Sequence, residues 1–469
     1  MSNNIDLIQI REIGYLISAF LFILGIKYMT HPETARKGNI ISFIGMVLAV
    51  LLTFIQNNFI VSNLWFIILG IILGSIVGSY LALKVKFTEM PQMVSFFNGM
   101  GGLTISFISF SEYFYKAKES NLFFIFSASF SGTIGMVSFI GSMLAMAKLW
   151  GYLESAKKSL TIRIFNLLLV ILLFLGIIYL AISYSLNLNL EINKFIFLGL
   201  IIIGAVLGFS GVYPIGGADM PVVIALLNAF TGLAAAIAGF AIQNNAMIVS
   251  GTLVGASGTI LTLLMAKAMN RSLLSVIMGG FGETSLTDVS KKGNIQEISY
   301  QDTAILLAYS KKVIIVPGYG MAVANAQNEV HELEELLTKR GVEVIYAIHP
   351  VAGRMPGHMN VLLAEAQVDY SKLYELEQAN SEFKTADVAL IVGANDIVNP
   401  AAKNNPNSPL YGMPILEVED AANIIFMKRS LRPGFAGVDN ELFFNPKTRM
   451  LFGDAKETLR KVINELKSL

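Results

Sequence analysis

Nine long apolar runs fill the first 270 residues, near 12–29, 40–56, 62–83, 92–111, 122–147, 164–184, 194–211, 218–241 and 246–268. Coiled as α-helices, they have the length that crosses a bilayer's hydrocarbon core. The segments after the first, third, fifth and ninth runs carry Lys27, Arg36, Lys37, Lys84, Lys86, Lys148, Lys157, Lys158, Arg163, Lys267 and Arg271. The opposite set holds only Arg11, Lys116, Lys118 and Lys194. Positive charge stays on the cytoplasmic side, so the amino terminus is predicted outside and everything after Arg271 inside. An odd number of spans agrees.

After the last run the period changes. Residues 271–303 lose apolar periodicity and read as a Gly-rich hinge and linker. From 304 onward, short β-branched runs alternate with helical ones. Strands are predicted at 313–316, 342–348, 388–393, 415–418, 423–427 and 449–452, and helices near 321–339, 359–368 and 454–467. The predicted fold is an α-helical transmembrane bundle (1–270), a hinge (271–303) and a Rossmann-like, doubly wound parallel-sheet α/β domain (304–469).

Composition agrees with the bundle: 54% of residues are hydrophobic and 14% charged, with a mean hydropathy of +0.62. A net charge of +1 gives no reason to expect nucleic acid. Without cysteine there is no disulfide framework or thiol catalysis, and His31, His331, His349 and His358 lack metal-ligand spacing. Residues 1–10 lack a basic n-region, so the first run is read as a retained span. Small residues recur every four positions at Gly70/Gly74/Gly78, Gly204/Gly208 and Gly251/Gly255, the spacing of close helix packing. Polar side chains within or at the ends of the runs are few: Asn98, Asp219, Asn228, Asn244 and Asn245, with Ser and Thr along the ninth. Of these, Asn98, Asp219, Asn228 and Asn244 are the candidates for a polar pathway, while the Ser and Thr read as bonded to their own helix.

In the sheet domain, Val313-Ile314-Ile315-Val316 precedes a turn with Gly318 and Gly320, then a helical run from Met321. Such an opening lets backbone N–H groups approach a pyrophosphate. Val323 stands where that fingerprint expects a third small residue. The second strand ends in His349-Pro350, with no carboxylate to hold a ribose hydroxyl. The strand at 423–427 instead delivers Lys428-Arg429-Ser430, two cations and a hydroxyl suited to a 2′-phosphate or to a solvated basic pair. Two long loops follow strand ends, 349–360 with Arg354 and Met355, and 393–400 with Gly393, Asn395 and Asp396. A third, 432–437, with Gly434, Phe435 and Ala436, has the character of a lid.

Together, GGADMPVV at 216–223, GTLVGASG at 251–258, KAMNRS at 267–272, PGYGMAVANAQ at 317–327, HPVAGRMPGHMNVLLAEA at 349–366, GANDIVNPAA at 393–402, GMPILEV at 412–418 and MKRS at 427–430 closely resemble the beta subunit of the proton-translocating NAD(P) transhydrogenases. The resemblance runs over essentially the whole chain. It implies a multi-pass protein of a bacterial inner membrane that binds NADP(H) in its carboxy-terminal domain. Its partner would be an alpha subunit carrying NAD(H), in a dimer of alpha–beta units. Gly318, Tyr319, Gly320, Met321, Ala322 and Val323 would lie along the cofactor. His349, Arg354, Met355, Gly393 and Asn395 would line it, and Lys428, Arg429 and Ser430 would hold the 2′-phosphate. Asp396 would sense the proton state, and Gly434, Phe435 and Ala436 would form the lid. The family binds its cofactor in the reverse sense to an ordinary Rossmann enzyme, which explains the position of the cation pair.

Two departures stand out. Phe435 replaces a lid Tyr, and Asn98 stands where some members carry a membrane His, so the titrating group is expected from the alpha subunit. The resemblance implies hydride transfer between the two nicotinamides coupled to proton translocation. Two other classes stay open from the residues alone: a channel or secondary transporter with a nucleotide-sensing domain, and a membrane anchor for a soluble NADP reductase.

Overall fold

The computed structural model describes residues 2–54, 64–86, 89–116, 121–153, 160–186, 190–216, 219–269, 273, 294–353, 357–408, 410–434 and 436–469. It divides into two compact units, residues 1–215 with 223–262, and residues 216–222 with 263–469.

The first unit is the bundle. Its helices are α1 (Ser2–Met29), α2 (Pro32–Thr53), α3 (Leu64–Lys84), α4 (Met90–Lys116), α5 (Leu122–Leu149), α6 (Leu160–Ser185), α7 (Leu190–Val212), α8 (Met220–Ile242) and α9 (Asn245–Ala268). Among the described residues, nine helices are long and apolar enough to cross a membrane, as the apolar runs predict. The protein is a multi-pass membrane protein. Large apolar side chains such as Phe66, Ile76, Phe107, Leu168 and Phe195 face outward. The inward face of α5 is instead small and hydroxylic, with Ser127, Ser131, Gly135, Ser138 and Ser142 at three- and four-residue spacing.

Lipid is as apolar as leucine, so helices in a bilayer associate through close packing and hydrogen bonds. Here α4 and α5 approach until backbone meets backbone: a Cβ on Gly102 would lie 2.6 Å from the Gly135 carbonyl oxygen. Two of the three predicted glycine stripes are used in this way. Gly204 and Gly208 press on Thr133 and Val137, and Gly251 presses on Ala236. Gly70, Gly74 and Gly78 have nothing within 4 Å in the position a Cβ would take.

In the second unit a six-stranded parallel sheet has the order β3-β2-β1-β4-β5-β6. The strands are β1 (Lys312–Pro317), β2 (Glu343–Ile348), β3 (Leu373–Glu375), β4 (Val388–Val392), β5 (Asn423–Lys428) and β6 (Thr448–Phe452). The two central strands carry the β-branched runs and are buried almost throughout. Ile314 pairs with Ile345 on one side and Ala389 on the other. The chain leaves β1 toward β2 and later returns to β4 on the opposite side. The gap between the carboxyl ends of β1 and β4 is therefore the switch point, where such sheets hold ligands.

The surrounding helices are α10 (Tyr300–Ala308), α11 (Tyr319–Val323), α12 (Gln327–Lys339), α13 (His358–Glu365), α14 (Leu376–Glu382), α15 (Ala401–Asn404) and α16 (Ala455–Ser468). The run expected as one helix over 321–339 is broken. Asn325 takes a left-handed conformation (φ +49°) between α11 and α12, which asparagine tolerates better than most residues. Residues 415–418 are not a strand, although Leu416 and Val418 are buried like one. The Asn380 side chain satisfies that segment instead, donating to Ile415 O (3.0 Å) and accepting from Glu417 N–H (2.9 Å). The edge strand β3 and helices α10 and α14 were missed, being short and weakly patterned. Of the stretch read as hinge, 274–293 lie outside the described residues, while Ile298 N–H already donates to Met450 O of β6 (3.1 Å).

The switch point rests on glycine for want of space. Gly393 has φ +68°, and a Cβ there would lie 2.5 Å from Gly320 Cα and Met321 N. Gly393→Ala should lower the stability of the sheet domain by more than about 2 kcal/mol. Thermal unfolding of the full-length protein, followed by near-ultraviolet circular dichroism, reads this out; an unchanged melting temperature rejects the packing argument.

Candidate functional site

Three strand-end turns meet at the switch point. Gly318 N–H donates to Val392 O (2.9 Å), Gly320 N–H to Gly393 O (2.8 Å) and Gly393 N–H to Met427 O (3.2 Å). The glycines, expected to turn their N–H groups toward a pyrophosphate, are engaged here within the turns themselves. Their N–H groups are bonded to carbonyls of the neighbouring turn, and their missing Cβ atoms make room for Gly393 and Ala394 backbone. Met321 and Ala322 send their side chains into the sheet core, Tyr319 is half-buried, and Val323 is exposed.

Beyond Gly393 the chain turns through Asn395 and Asp396, which form the hub of the site. Lys428, at the end of β5, donates its Nζ to Asn395 Oδ1 (2.8 Å) and to Arg432 O (2.5 Å). The same ammonium lies 4.9 Å from the centre of the Phe443 ring. Asn395 Nδ2 donates to Asp396 Oδ1 (2.8 Å), and Asp396 Oδ2 accepts the Ala436 N–H (2.9 Å). Gly434 lies so close that a Cβ would fall 2.4 Å from Asp396 Oδ1. Gly434 and Ala436 thus sit on the Asn395–Asp396 turn, with Lys428 tying that turn and Arg432 to β5. Partial burial pulls the Lys428 ammonium down to about 8, against the opposing fields of Asp396 and Asp439. Arg429 is exposed and Ser430 half-buried beside it.

His349 lies deeper than its loop suggested and is almost fully buried. Nε2 lies 2.8 Å from Pro414 O, and Nδ1 accepts the Val351 N–H at 3.2 Å. These bonds fix a neutral imidazole with its proton on Nε2, and burial drives its pKa down to about 4. Both polar atoms of His349 serve backbone groups, Nε2 at Pro414 and Nδ1 at Val351. Arg354, Met355 and Phe435 lie outside the described residues.

In the bundle, Asn98 is buried between α4 and α5. Its Nδ2 donates to Ser142 Oγ (2.9 Å) and lies 3.3 Å from Ser138 Oγ. Ser138 continues to Thr231 Oγ1 (2.5 Å) and Leu227 O (3.0 Å) on α8. Asn98 therefore belongs to a hydroxyl network spanning three helices. Asn228 is half-buried on α8. Asn244 caps α9 by accepting the Met247 N–H at 3.0 Å, while Asn245 donates to Glu12 (2.6 Å). Asp219 is buried just before α8.

The family profile described as NAD(P) transhydrogenase beta subunit matches residues 11–465. The chain belongs to the NAD(P) transhydrogenase beta-subunit family. Two sequences named NAD(P) transhydrogenase subunit beta, both from Rhodospirillum rubrum and one from a named strain, are each 42% identical to it over 464 residues. The alignments cover 97% of this chain and 98% of each relative. The chain is thus an oxidoreductase subunit working with nicotinamide nucleotides, and a beta subunit implies an alpha partner. The channel and anchor readings fall away.

Sequence reading missed four members of these networks. Asn399 and Asn440 sit among loop residues with no pattern of their own, and Ser138 and Thr231 resemble any hydroxyl bonded to its own helix. Their partners lie 40 to 93 positions away, so no local spacing could have found them.

The neutral histidine has a pH consequence. Unfolded, His349 takes a proton near its ordinary 6.5; folded, it resists down to about 4. The unfolded state therefore binds more protons in this window, and stability falls as pH drops from 6.5 to 4, by roughly 3 kcal/mol from this group. A His349→Asn variant should melt with a shallower pH slope over that window. Equal slopes in variant and wild type would show that His349 is not the source.

Proposed function

We propose that the sheet domain binds NADP(H) and that this chain couples hydride exchange with NAD(H), held on the alpha partner, to proton movement through the bundle. The observation carrying this reading is the cationic strand end of β5 set against the docked lid. Lys428, Arg429 and Ser430 follow one another where β5 leaves the sheet, and Lys428 touches both the Asn395 turn and the lid backbone. A point charge, a planar guanidinium and a hydroxyl are the donors a phosphomonoester requires. No carboxylate follows β2 to favour a free ribose hydroxyl. The bound nicotinamide nucleotide would supply the hydride chemistry.

The chain's own residues hold and time the site. Lys428, Arg429 and Ser430 anchor the 2′-phosphate. Asn395 keeps the Lys428 ammonium in place, and the Asp396 carboxylate latches the lid through the Ala436 N–H. Protonation of Asp396 would weaken that latch and release the lid, giving the proton state a grip on nucleotide exchange. The path across the bilayer runs by Asn98, Ser138 and Thr231, with Asp219, Asn228 and Asn244 as further polar stations, and its titrating group comes from the partner. The amino terminus lies outside a bacterial inner membrane and the sheet domain lies in the cytoplasm. One charge crossing 100 mV is worth roughly 2.3 kcal/mol, which shifts a product ratio about fiftyfold.

The test uses the full-length chain co-expressed with its alpha partner. The wild type should prefer NADP⁺ over NAD⁺, and Lys428→Ala/Arg429→Ala should weaken NADP⁺ binding about a hundredfold or more while hardly changing the KM for NAD(H). Equal affinity of the wild type for NAD⁺ and NADP⁺ would overturn the reading.

Protonation of Lys428 adds a second test. The ammonium is charged below about 8, so NADP⁺ affinity should hold steady up to that pH and then fall, by at most about tenfold per unit. Lys428→Arg, which stays charged, should flatten the fall. A decline of the same steepness in that variant would assign the titration elsewhere.

A further inference from the structure

We propose that Asn399 and Asn440 form a reciprocal clasp that anchors the far end of the lid, making them positioning residues for the nucleotide site. The inference rests on the NADP(H) reading and adds residues to it that no motif marks. Asn399, fully buried in the loop after β4, donates its Nδ2 to Asp439 O (3.1 Å) while its Oδ1 accepts the Ala401 N–H (3.0 Å). Asn440, 1% exposed in the segment after the lid, donates its Nδ2 to Asn395 O (3.0 Å) while its Oδ1 accepts the Leu442 N–H (3.0 Å). Each asparagine thus caps its own segment and reaches across to the other, Asn399 to the residue before Asn440 and Asn440 to the turn four residues before Asn399.

The consequence for the lid is geometric. The segment is tied at its start by Lys428 to Arg432 O, at its middle by Asp396 to Ala436 N–H, and at its end by the clasp at 439–440. The middle tie is a single hydrogen bond to a half-buried carboxylate. The end tie is two bonds from side chains at most 1% exposed, which water cannot easily replace. The firmest tie of this segment is therefore at 439–440. Because Asn440 grips the Asn395 carbonyl, the clasp also fixes the side chain that holds the Lys428 ammonium.

The asparagines allow a clean substitution. Asn399→Asp and Asn440→Asp each keep the oxygen that caps the local turn and replace the crossing donor by a carboxylate oxygen, which repels the carbonyl it faces. Asn445→Asp makes the same change at a surface cap, where the lost donor faces Glu419. In the full-length chain with its alpha partner, each clasp variant should release NADP⁺ roughly tenfold faster, about the worth of one buried hydrogen bond. The KM for NAD(H) should stay unchanged, and the double variant should go little beyond either single one, since the two bonds close one joint. Asn445→Asp should match wild type.

Wild-type NADP⁺ release in Asn399→Asp and Asn440→Asp, with the folded circular dichroism spectrum retained, would overturn the clasp. So would a failure of both to fold while Asn445→Asp folds, since the pair would then be scaffold alone. A wild-type chain that fails to select NADP⁺ over NAD⁺ would instead overturn the nucleotide reading on which the clasp rests.

Discussion

Backbone packed directly on backbone at the β1/β4 switch point is the constraint on which the sheet domain's site depends. Gly318 and Gly320 from one turn, and Gly393 from the other, leave no room for side chains, and the contact is closed by N–H to carbonyl bonds across the gap. It holds the turn carrying Asn395 and Asp396 at a set height above the sheet, and with it the reach of Lys428. A Cβ at any of the three would push the turns apart. Gly434 and Ala436, which sit against Asp396, would then lose their seat.

The bundle uses the same device for a different end. Where Gly102 meets the Gly135 carbonyl, α4 and α5 approach closely enough for short side chains above and below to bond across the seam. Asn98 reaches Ser138 and Ser142 on one side, and Ser109 reaches Ser131 at 2.7 Å on the other. In hydrocarbon a polar group gains more from a partner than from exposure, so a close helix pair and its hydroxyls support each other. Small residues in both units mark places where main chains must come close.

Much of this was legible in the residues. Nine spans follow from run length, and five of the six strands were placed nearly residue for residue, because buried parallel strands are written as continuous β-branched runs. The cationic end of β5 and the loops that meet it stood out as Gly-, Pro- and charge-rich segments after strand ends. The failures share a cause. The break at Asn325 has no Pro or Gly to announce it, and at 415–418 buried Leu416 and Val418 imitate a strand whose bonds are supplied by Asn380. β3, three residues long, lies below any periodic signal.

By itself the sequence determined the division into a membrane bundle and a parallel α/β domain, since hydrophobic period and run length are local properties. Its long motifs were enough for the family. Only the tertiary structure decided which polar residues act together. It tied Asn395 to Lys428 and Asn440, Asp396 to Ala436, and Asn98 to Ser138 and Ser142, and it withdrew the N–H groups of Gly318 and Gly320 and the ring nitrogens of His349 into backbone bonds. A hydrogen bond depends on separation in space, and partners forty residues apart leave no trace in the spacing of either one.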